Sequence, residues 1–268
     1  MPLLKEIHAN AAVAWSPVKR RAELLALGAK GDGGVGFEHS GGEFKIVSMD
    51  FSDPVTDMVT IGSIKTPSRF TSLAWRDIAR HHDALPYGLV AGGMADGSVS
   101  LWNPKALIDQ GTAPTADASP EIGRITRHKG AVNALQFNPH EDSSHLLASG
   151  GSDGEVYIMS LEKLSSPGVF TPGGPTAPQQ QINEITSVAW NTQVNYILAT
   201  GSQNGSVVIW DLKQKKPWCE LRDPQRGTIS AIAWNPNEGL QIATASGDDQ
   251  RPVVKLWDLR NSTSTPLA

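Results

Sequence analysis

Short runs of apolar residues recur along the whole chain, separated by glycine, proline, asparagine and aspartate. Within runs such as VVIW (207–210) and VKLW (254–257), successive side chains point to opposite faces of a strand, so each strand offers a surface to two neighbours. β-branched residues are frequent in the runs, and turn-forming residues are frequent between them. The pattern predicts many short strands joined by tight turns.

The runs form five repeats, each with three predicted strands in the same order. The first strand ends in an aromatic residue, the second ends in small residues, and the third follows a turn. The repeats lie near 11–50, 70–104, 131–161, 185–212 and 228–260, and their aromatic anchors are Trp15, Trp75, Phe137, Trp190 and Trp234. The anchors are 60, 62, 53 and 44 residues apart, and the excess over a WD-repeat period of about 40–45 falls in loop 28–42 and in the Pro/Gly/Ala-rich links 103–127 and 162–184.

The third strands carry the signature of a WD-repeat propeller. It is present in the pairs Trp210-Asp211 and Trp257-Asp258, and in Trp102 of the second repeat. Asp-Gly and Asn-Gly pairs at 96–97, 153–154 and 204–205 predict type I′ hairpin turns before these strands. The expected fold class is therefore all-β, a WD-repeat β-propeller extending over residues 1–268.

WD-repeat propellers hold some blades with a buried polar network. His128, ahead of Lys129-Gly130, occupies the usual histidine position, so we interpret it as structural rather than catalytic or metal-binding. The aspartate of each Trp-Asp pair is expected to join this network. Asp96 and Asp153 lie too late in their repeats to be assigned to it, so most repeats are expected to carry an incomplete network.

Composition and charge exclude several classes of function. The net charge is −4, and no basic cluster exceeds the short run KQKK (213–216), interpreted as a solvated turn, so no nucleic-acid partner is expected. A single cysteine, Cys219, leaves no disulfide framework and fits a reducing compartment. The N-terminal apolar residues are interrupted by polar ones, which argues against a signal peptide or membrane span and favours a soluble, cytosolic protein.

Three stretches offer alternative chemistry, and each has a structural explanation that we favour. GDGGVG (31–36) resembles a phosphate loop but precedes a strand rather than a helix. Asp248, Asp249 and Arg251 form an acidic cluster better explained by a salt bridge in a turn. His81 and His82 are adjacent, so a strand would point them to opposite faces, and we expect an exposed loop. No catalytic motif is present, and we expect neither enzymatic activity nor a cofactor or metal.

The fourth and fifth repeats resemble one particular propeller family more closely than a general WD repeat. INEITSVAWNTQVNYILATGSQNGSVVIWDLKQKKP (182–217) and ASGDDQRPVVKLWDLR (245–260) are similar to the larger outer-cage subunit of the COPII vesicle coat, the Sec thirty-one family. The opening LKEI and AWSP motifs (4–17), HKGAVNALQFNP (128–139) and the Thr171-Pro172-Gly173 link agree with it in order. The resemblance extends from about residue 3 to residue 262.

This resemblance implies a non-catalytic scaffold in vesicle budding from the endoplasmic reticulum and in transport to the Golgi. The implied location is cytoplasmic, peripheral at exit sites and COPII vesicles, with membrane contact only indirect. The implied partners are other propellers at cage vertices, the small propeller subunit and inner-coat proteins. Most of these contacts are expected through a downstream solenoid and Pro-rich region that this sequence does not contain.

The family's propeller has seven blades, so the resemblance implies an incomplete ring here, in a fragment or a shortened gene product. LLKEI (3–7) is expected to supply an outer strand to the last blade, and the chain alone is expected to self-associate through uncovered blade faces. The alternative function is a general WD-repeat adaptor in another complex. The partner-binding residues are unknown, and loops 28–42, 76–88 and 236–240 are the candidates.

Overall fold

The computed structural model describes residues 5–31, 41–53, 55, 57–78, 80–112, 119–174, 183–222, 227–250, 252–261 and 263–267. Within these residues, 19 strands form five antiparallel sheets, and strands consecutive in sequence are neighbours in each sheet. The all-β propeller fold is confirmed, and each predicted repeat forms one sheet, here called a blade. The chain divides into two compact units, Met1–Thr126 and Arg127–Ala268.

The first unit contains blades 1 and 2. Blade 1 consists of β1 (Ala11–Trp15), β2 (Leu24–Ala29), β3 (Gly42–Ser48) and β4 (Val59–Thr66). Blade 2 consists of β5 (Phe70–Arg76), β6 (Leu89–Met94), β7 (Ser98–Trp102) and β8 (Glu121–Thr126). Helix α1 (Pro104–Thr112), in a segment that the sequence indicated only as a link, packs against β4. It begins where Asn103 Oδ1 accepts a hydrogen bond from the Lys105 N–H at 3.1 Å, with Pro104 in the first turn.

The second unit contains blades 3, 4 and 5. Blade 3 consists of β9 (Val132–Phe137), β10 (Leu146–Gly151), β11 (Val156–Ser160) and β12 (Gly168–Phe170). Blade 4 consists of β13 (Ile185–Trp190), β14 (Ile197–Ser202), β15 (Ser206–Asp211) and β16 (Lys216–Arg222). The described part of blade 5 has three strands, β17 (Ile229–Trp234), β18 (Gln241–Ser246) and β19 (Val254–Asp258).

Period-two alternation on β15 places blade 4 between blades 3 and 5. On β15, Val208 and Trp210 join the apolar cluster between blades 3 and 4, whereas Val207 and Ile209 join the cluster between blades 4 and 5. All four side chains are buried, which explains why the strand is apolar throughout. The alternation predicted from VVIW is therefore a consequence of having a neighbouring blade on each side.

Glycines in the second strands make room for the next blade. A Cβ atom on Gly150 would lie 2.3 Å from Ile185 Cγ2, and one on Gly201 would lie 2.6 Å from Ile229 Cγ2. In the first unit, a Cβ atom on Gly28 would lie 2.5 Å from the Phe70 ring. Each glycine thus receives the first residue of the following blade, which is why the second strands end in small residues.

The hairpin turns differ from the type I′ expectation. Type I′ requires positive φ at both central residues, but Lys215 is the one non-glycine with positive φ among the described residues. In the Asn204 turn, Gly205 (φ 82°) donates from its N–H to the Ser202 carbonyl at 3.2 Å, which makes the glycine the fourth residue of the turn. Asn204 Oδ1 then accepts from the Ser206 N–H at 3.0 Å, and Asp96 and Asp153 make the equivalent bonds in their turns.

The start of the chain pairs with blade 1. Residues 3 and 4 of the LLKEI segment lie outside the described residues, but Glu6 forms an isolated parallel bridge with Asp57, just before β4. Ile7 packs against the apolar cluster of Leu25, Leu27, Val47 and Met49, on β2, on β3 and just after β3. The described part of this segment therefore contacts blade 1.

Candidate functional site

The predicted anchors end the first strands, and four of the five are buried. Trp75, Phe137, Trp190 and Trp234 are 2–8% exposed, whereas the Trp15 side chain is 55% exposed. Trp75, Trp190 and Trp234 pack into the apolar clusters between blades, but Trp15 lies on the face of blade 1 turned away from blade 2. The anchor position is therefore structural in blades 2 to 5 and surface-exposed in blade 1.

Two anchor indoles connect consecutive blades in the same way. Trp190 Nε1 donates to the Gln136 carbonyl at 3.0 Å, and Trp234 Nε1 donates to the Ala189 carbonyl at 3.0 Å. Gln136 and Ala189 each precede the anchor of the previous blade, so the contact repeats in register. Gln136 Oε1 also accepts from the Trp190 N–H at 2.6 Å. The Trp75 indole instead donates to the Tyr87 carbonyl at 2.8 Å within blade 2.

Asparagines directly after the anchors join the loops at one end of the second unit. Asn138 Nδ2 donates to the Asn195 carbonyl and Asn191 Nδ2 donates to the Gly239 carbonyl, both at 2.8 Å. The two acceptors lie at the same place in successive blades, four residues after an anchor asparagine. Asn138 and Asn191 are 0% and 1% exposed, and their Oδ1 atoms accept N–H groups of their own loops. The sequence analysis did not predict this contact. Its signal is the asparagine that directly follows the aromatic anchor in each of the last three repeats, as FN, WN and WN.

His128 lies in a buried network, as expected, but its partner corrects the sequence assignment. His128 Nε2 is 2.8 Å from Ser149 Oγ, and Nδ1 is 3.0 Å from Asp153 Oδ1. Asp153, judged too late in its repeat for this role, is therefore the acid of the network, because β10 ends at the turn that returns it to His128. The His128 ring also meets Tyr157 edge-on at 4.8 Å.

The charge of Asp153 is stabilised inside this network. Burial tends to raise the pKa of the Asp153 carboxyl, but hydrogen bonds from the Lys129 N–H at 2.8 Å and from His128 outweigh burial. The pKa of Asp153 is accordingly lower than usual, and the carboxylate is the favoured form. The network thus holds the entry to blade 3 against the turn between β10 and β11.

The side chains of the Trp-Asp pairs make hydrogen bonds within their own blades and do not join the expected histidine network. Trp210 Nε1 donates to Thr200 Oγ1 at 2.9 Å, and Trp257 Nε1 donates to Thr244 Oγ1 at 3.0 Å. Asp211 Oδ1 accepts the Gln214 N–H at 2.9 Å, which closes the turn after β15.

Asp258 belongs to a local ion pair. Its Oδ2 atom lies 2.6 Å from Arg260 Nη2, and Oδ1 accepts the Arg260 Nε–H at 2.9 Å. Hydrogen bonding to Arg260 holds the pKa of the Asp258 carboxyl well below its usual range. The expected role of the aspartates in a network before the first strand is therefore wrong for both pairs.

Trp102 anchors the core of the first unit. Its ring centroid lies 5.0 Å from that of Phe44 and 5.3 Å from that of Phe70, and all three side chains are at most 1% exposed. Phe44 comes from blade 1 and the other two from blade 2, so this aromatic cluster joins the two blades. Tilted aromatic pairs of this kind add about 0.5–1.5 kcal/mol beyond area burial.

The candidate partner loops are partly packed. Most of loop 28–42, including all of GDGGVG except Gly31, lies outside the described residues. In loop 76–88, Ile78 and Leu85 are buried, and His81 and His82 are half-buried, so the loop is less exposed than expected. Loop 236–240 receives the asparagine contact from blade 4 but keeps exposed residues from Pro236 to Glu238.

Among the described residues, the side chains of the alternative chemical sites are not brought together into a site. Arg251 lies outside the described residues, and the Asp248 carboxylate accepts the Gln250 N–H within its own turn at 2.9 Å. Burial raises the pKa of the half-buried Cys219 thiol to about 11, so it is a poor nucleophile. Among the described residues, no three acidic, histidine or cysteine side chains form a metal-binding group. No described helix has the length and apolarity to cross a bilayer.

Comparison with known proteins supports the propeller at the level of sequence. The family model described as Nucleolar protein 10-like, N-terminal domain, a β-propeller, matches residues 125–267. Protein transport protein SEC31 of Dictyostelium discoideum is 38% identical over 98% of this chain, and Sec31A of Danio rerio is 35% identical over 97%. The chain covers only 19% and 20% of those relatives, so it corresponds to about a fifth of their length.

Solved structures show the same likeness. A chain of the COPII outer coat vertex on membranes has a TM-score of 0.72 and 28% identity, with 96% of this chain and 62% of that chain covered. Sqt1 of Chaetomium thermophilum, bound to the N-terminus of ribosomal protein L10, has a TM-score of 0.66 and 21% identity over 92% of this chain and 59% of that chain. The second likeness concerns the fold alone.

Proposed function

The chain belongs to the β-propeller family of the Nucleolar protein 10-like N-terminal domain and is homologous to Sec31 propellers, and we propose that it is a non-catalytic scaffold of the COPII outer coat. In this role it takes part in vesicle budding from the endoplasmic reticulum and in transport to the Golgi. The observation that carries the proposal is similarity to Sec31 proteins over nearly the whole chain, beside likeness to a coat-vertex chain.

The geometry of the second unit suits a load-bearing role. Apolar clusters, indole contacts and asparagine contacts connect blade 3 to blade 4 and blade 4 to blade 5. The indole and asparagine contacts end on backbone carbonyls of the neighbouring blade, so they hold consecutive blades together. A rigid blade array of this kind can present loops to another subunit at a constant angle.

The proposed partners follow from the same assignment. Propeller contacts at cage vertices would use exposed loops, and among the described candidates 236–240 has the largest fraction of exposed residues. Contacts with the small propeller subunit and inner-coat proteins are proposed for regions of the protein outside these 268 residues. The proposed location is cytoplasmic, at exit sites and coated vesicles, without direct membrane or nucleic-acid binding.

Affinity purification tests the proposal. The gene is tagged at its own locus, and the proteins recovered with the product are identified by mass spectrometry. An unrelated WD-repeat propeller with the same tag and similar abundance is the control. Enrichment of the small propeller subunit and inner-coat proteins over that control supports the coat role. Recovery of an unrelated complex without coat subunits contradicts it and favours a general adaptor.

A further inference from the structure

A cavity of about 570 Å³ opens between blades 3 and 4, away from loop 236–240 proposed for vertex contacts. Its apolar lining comes from Leu146 at the start of β10, Phe170 on β12, and Tyr196 and Leu212 of blade 4. Leu146 and Leu212 also pack on the buried cluster between the two blades, so its apolar floor continues into the core. Cavities that bind small ligands or anchoring side chains are typically about 300–1,000 Å³.

The cavity has fixed walls. The Leu212 N–H donates to the Tyr196 carbonyl at 3.0 Å, which joins the two loops of blade 4 that form one wall. On the opposite wall, Thr171 and Gly174 close a turn with two hydrogen bonds, each 3.0 Å long. Asn195 Nδ2 donates to Ser143 Oγ at 2.9 Å across the floor. A cavity held in this way is preformed, so a ligand would lose little free energy in ordering it.

Two lysines stand at the rim, and none of the described lining residues carries a carboxylate. Lys213 Nζ lies 3.8 Å from the Tyr196 ring centroid, which holds this ammonium group over the opening. Within the described residues, neither Lys213 nor Lys215 has a carboxylate within ion-pair distance. The protein as a whole carries a net charge of −4, so the rim is locally opposite in sign to the molecule. Carboxylates next to an apolar group complement this arrangement.

The conformation of Lys215 is unusual for its residue type. It has φ 52°, a left-handed conformation that glycine adopts without strain and residues with a Cβ adopt at a cost. A lysine here therefore adds positive charge at a position where a glycine would suit the backbone better. Lys215→Gly would therefore remove the positive charge and relieve the backbone at the same position.

We propose that this cavity binds a short acidic peptide segment through one bulky apolar side chain. The apolar side chain fills the space between Leu146, Phe170 and Leu212, and flanking carboxylates pair with Lys213 and Lys215. The partner is a protein segment of that chemistry, and its binding does not depend on the coat role. Because both blades belong to one compact unit, the cavity is formed within that unit.

Fluorescence anisotropy with the full chain tests the proposal. The probe is a fluorescein-labelled peptide EDFDE, and the comparison probes are KKFKK and EDADE. We expect EDFDE to bind at least tenfold more tightly than either comparison probe. Binding should weaken as salt rises, because the ion pairs at the rim are exposed. Equal binding of EDFDE and KKFKK overturns the proposal. So does a lack of EDFDE binding at about 1 mM protein, a concentration on the order of the weakest dissociation constant for such a peptide.

Three variants separate binding from folding. Lys213→Met keeps an apolar stem over Tyr196 without charge, and Lys215→Gly removes charge while relieving the positive φ. Together they should weaken EDFDE binding at least tenfold without lowering the thermal midpoint. Phe170→Ala, at a side chain 43% exposed, should weaken it at least fivefold. Lys163→Met, at an exposed lysine outside the lining, is the matched control and should leave binding unchanged. Equal affinities of the double variant and the unsubstituted chain overturn the assignment.

Discussion

The Trp234 indole donates its N–H to the Ala189 carbonyl at 3.0 Å, and so links β17 of blade 5 to β13 of blade 4. The Trp190 indole makes the same bond to blade 3. In blades 4 and 5 the aromatic anchor therefore also makes a hydrogen bond to the preceding blade. Its apolar ring fills the interface while its one polar atom satisfies a backbone carbonyl of the preceding blade.

Trp234→Phe should destabilise the chain, because phenylalanine fills part of the space but leaves the Ala189 carbonyl unpaired. A buried unsatisfied polar group costs about 1–3 kcal/mol, and loss of ring volume adds to this. Urea unfolding followed by circular dichroism measures the change. Trp218→Phe, at a position 48% exposed, is the control and should change the free energy of unfolding by less than about 0.5 kcal/mol. Equal effects of the two substitutions would contradict this role for the indole.

Asn191→Leu should also be strongly destabilising. It removes the donor to the Gly239 carbonyl and the Oδ1 acceptor for the Gln193 and Val194 N–H groups, at a site 1% exposed. We expect a loss of about 2–4 kcal/mol, from several buried groups left unpaired. Asn235→Leu is the comparison, because its side-chain amide bonds only within its own blade, to Gln241 Oε1 and to the Asn237 N–H. A smaller loss for Asn235→Leu, measured by urea unfolding, is the expected result.

Gly201→Ala tests the fit between second strand and next blade. The added Cβ would lie 2.6 Å from Ile229 Cγ2, so Ile229 has to shift, and overpacking of this kind costs about 1–3 kcal/mol. Gly168→Ala is the matched control, because its nearest neighbour would lie 3.7 Å away. Thermal unfolding should show a lower midpoint for the first variant only, and an unchanged midpoint for both would show that the interface can yield.

Stability should fall in acid through Asp153. Its pKa is lowered in the folded state, so the unfolded state binds the proton more readily, and the carboxylate stabilises the fold above the unfolded pKa of about 3.9. This contribution is lost as the pH falls through the lower, folded pKa. Urea unfolding between pH 6 and pH 3 measures the slope. Asp153→Asn should be less stable at pH 6 and should show a shallower decline, and an unchanged slope would contradict the assignment.

The outer face of blade 5 should cause self-association of these 268 residues expressed alone. Val254 and Leu256 are 65% and 50% exposed, beside exposed Ala231 and Ala233 on the same face of the sheet. Val254→Lys combined with Leu256→Lys should shift the mass measured by light scattering toward the monomer. Lys163→Met, at an exposed position after the third strand of blade 3, should not. A monodisperse monomer without substitution would contradict the prediction.

Sequence alone predicted the inner strands because a blade between two others needs an apolar pattern on both faces. It also located every anchor, since Trp and Phe end each first strand. The outer strands were not predicted individually, because residues such as Gly168 and Lys216 face solvent and show no alternation. Helix α1 was missed because Pro104 looked like part of a link, although Pro suits a first helical turn.

The polar contacts were harder to predict, because they depend on how loops of different blades meet. Asp153 was not assigned to His128, since the distance in sequence hides the return of the hairpin. Asn138 and Asn191 stood next to anchors, but only the packed loops show which carbonyls they reach. The exposure of Trp15 depends on what covers blade 1, which a repeat pattern does not encode.

The glycine slots are of two kinds, which limits how the repeats could be exchanged. Gly28 faces the ring of Phe70, whereas Gly150 and Gly201 face isoleucine methyl groups, and Ala245 stands at the equivalent place in blade 5. A gene that replaced the second repeat with the fourth or fifth would therefore bring an isoleucine, in place of Phe70, against Gly28. Loss of the fourth repeat would set Gly150 against another isoleucine, so packing at these slots opposes recombination at the first blade more than at the third.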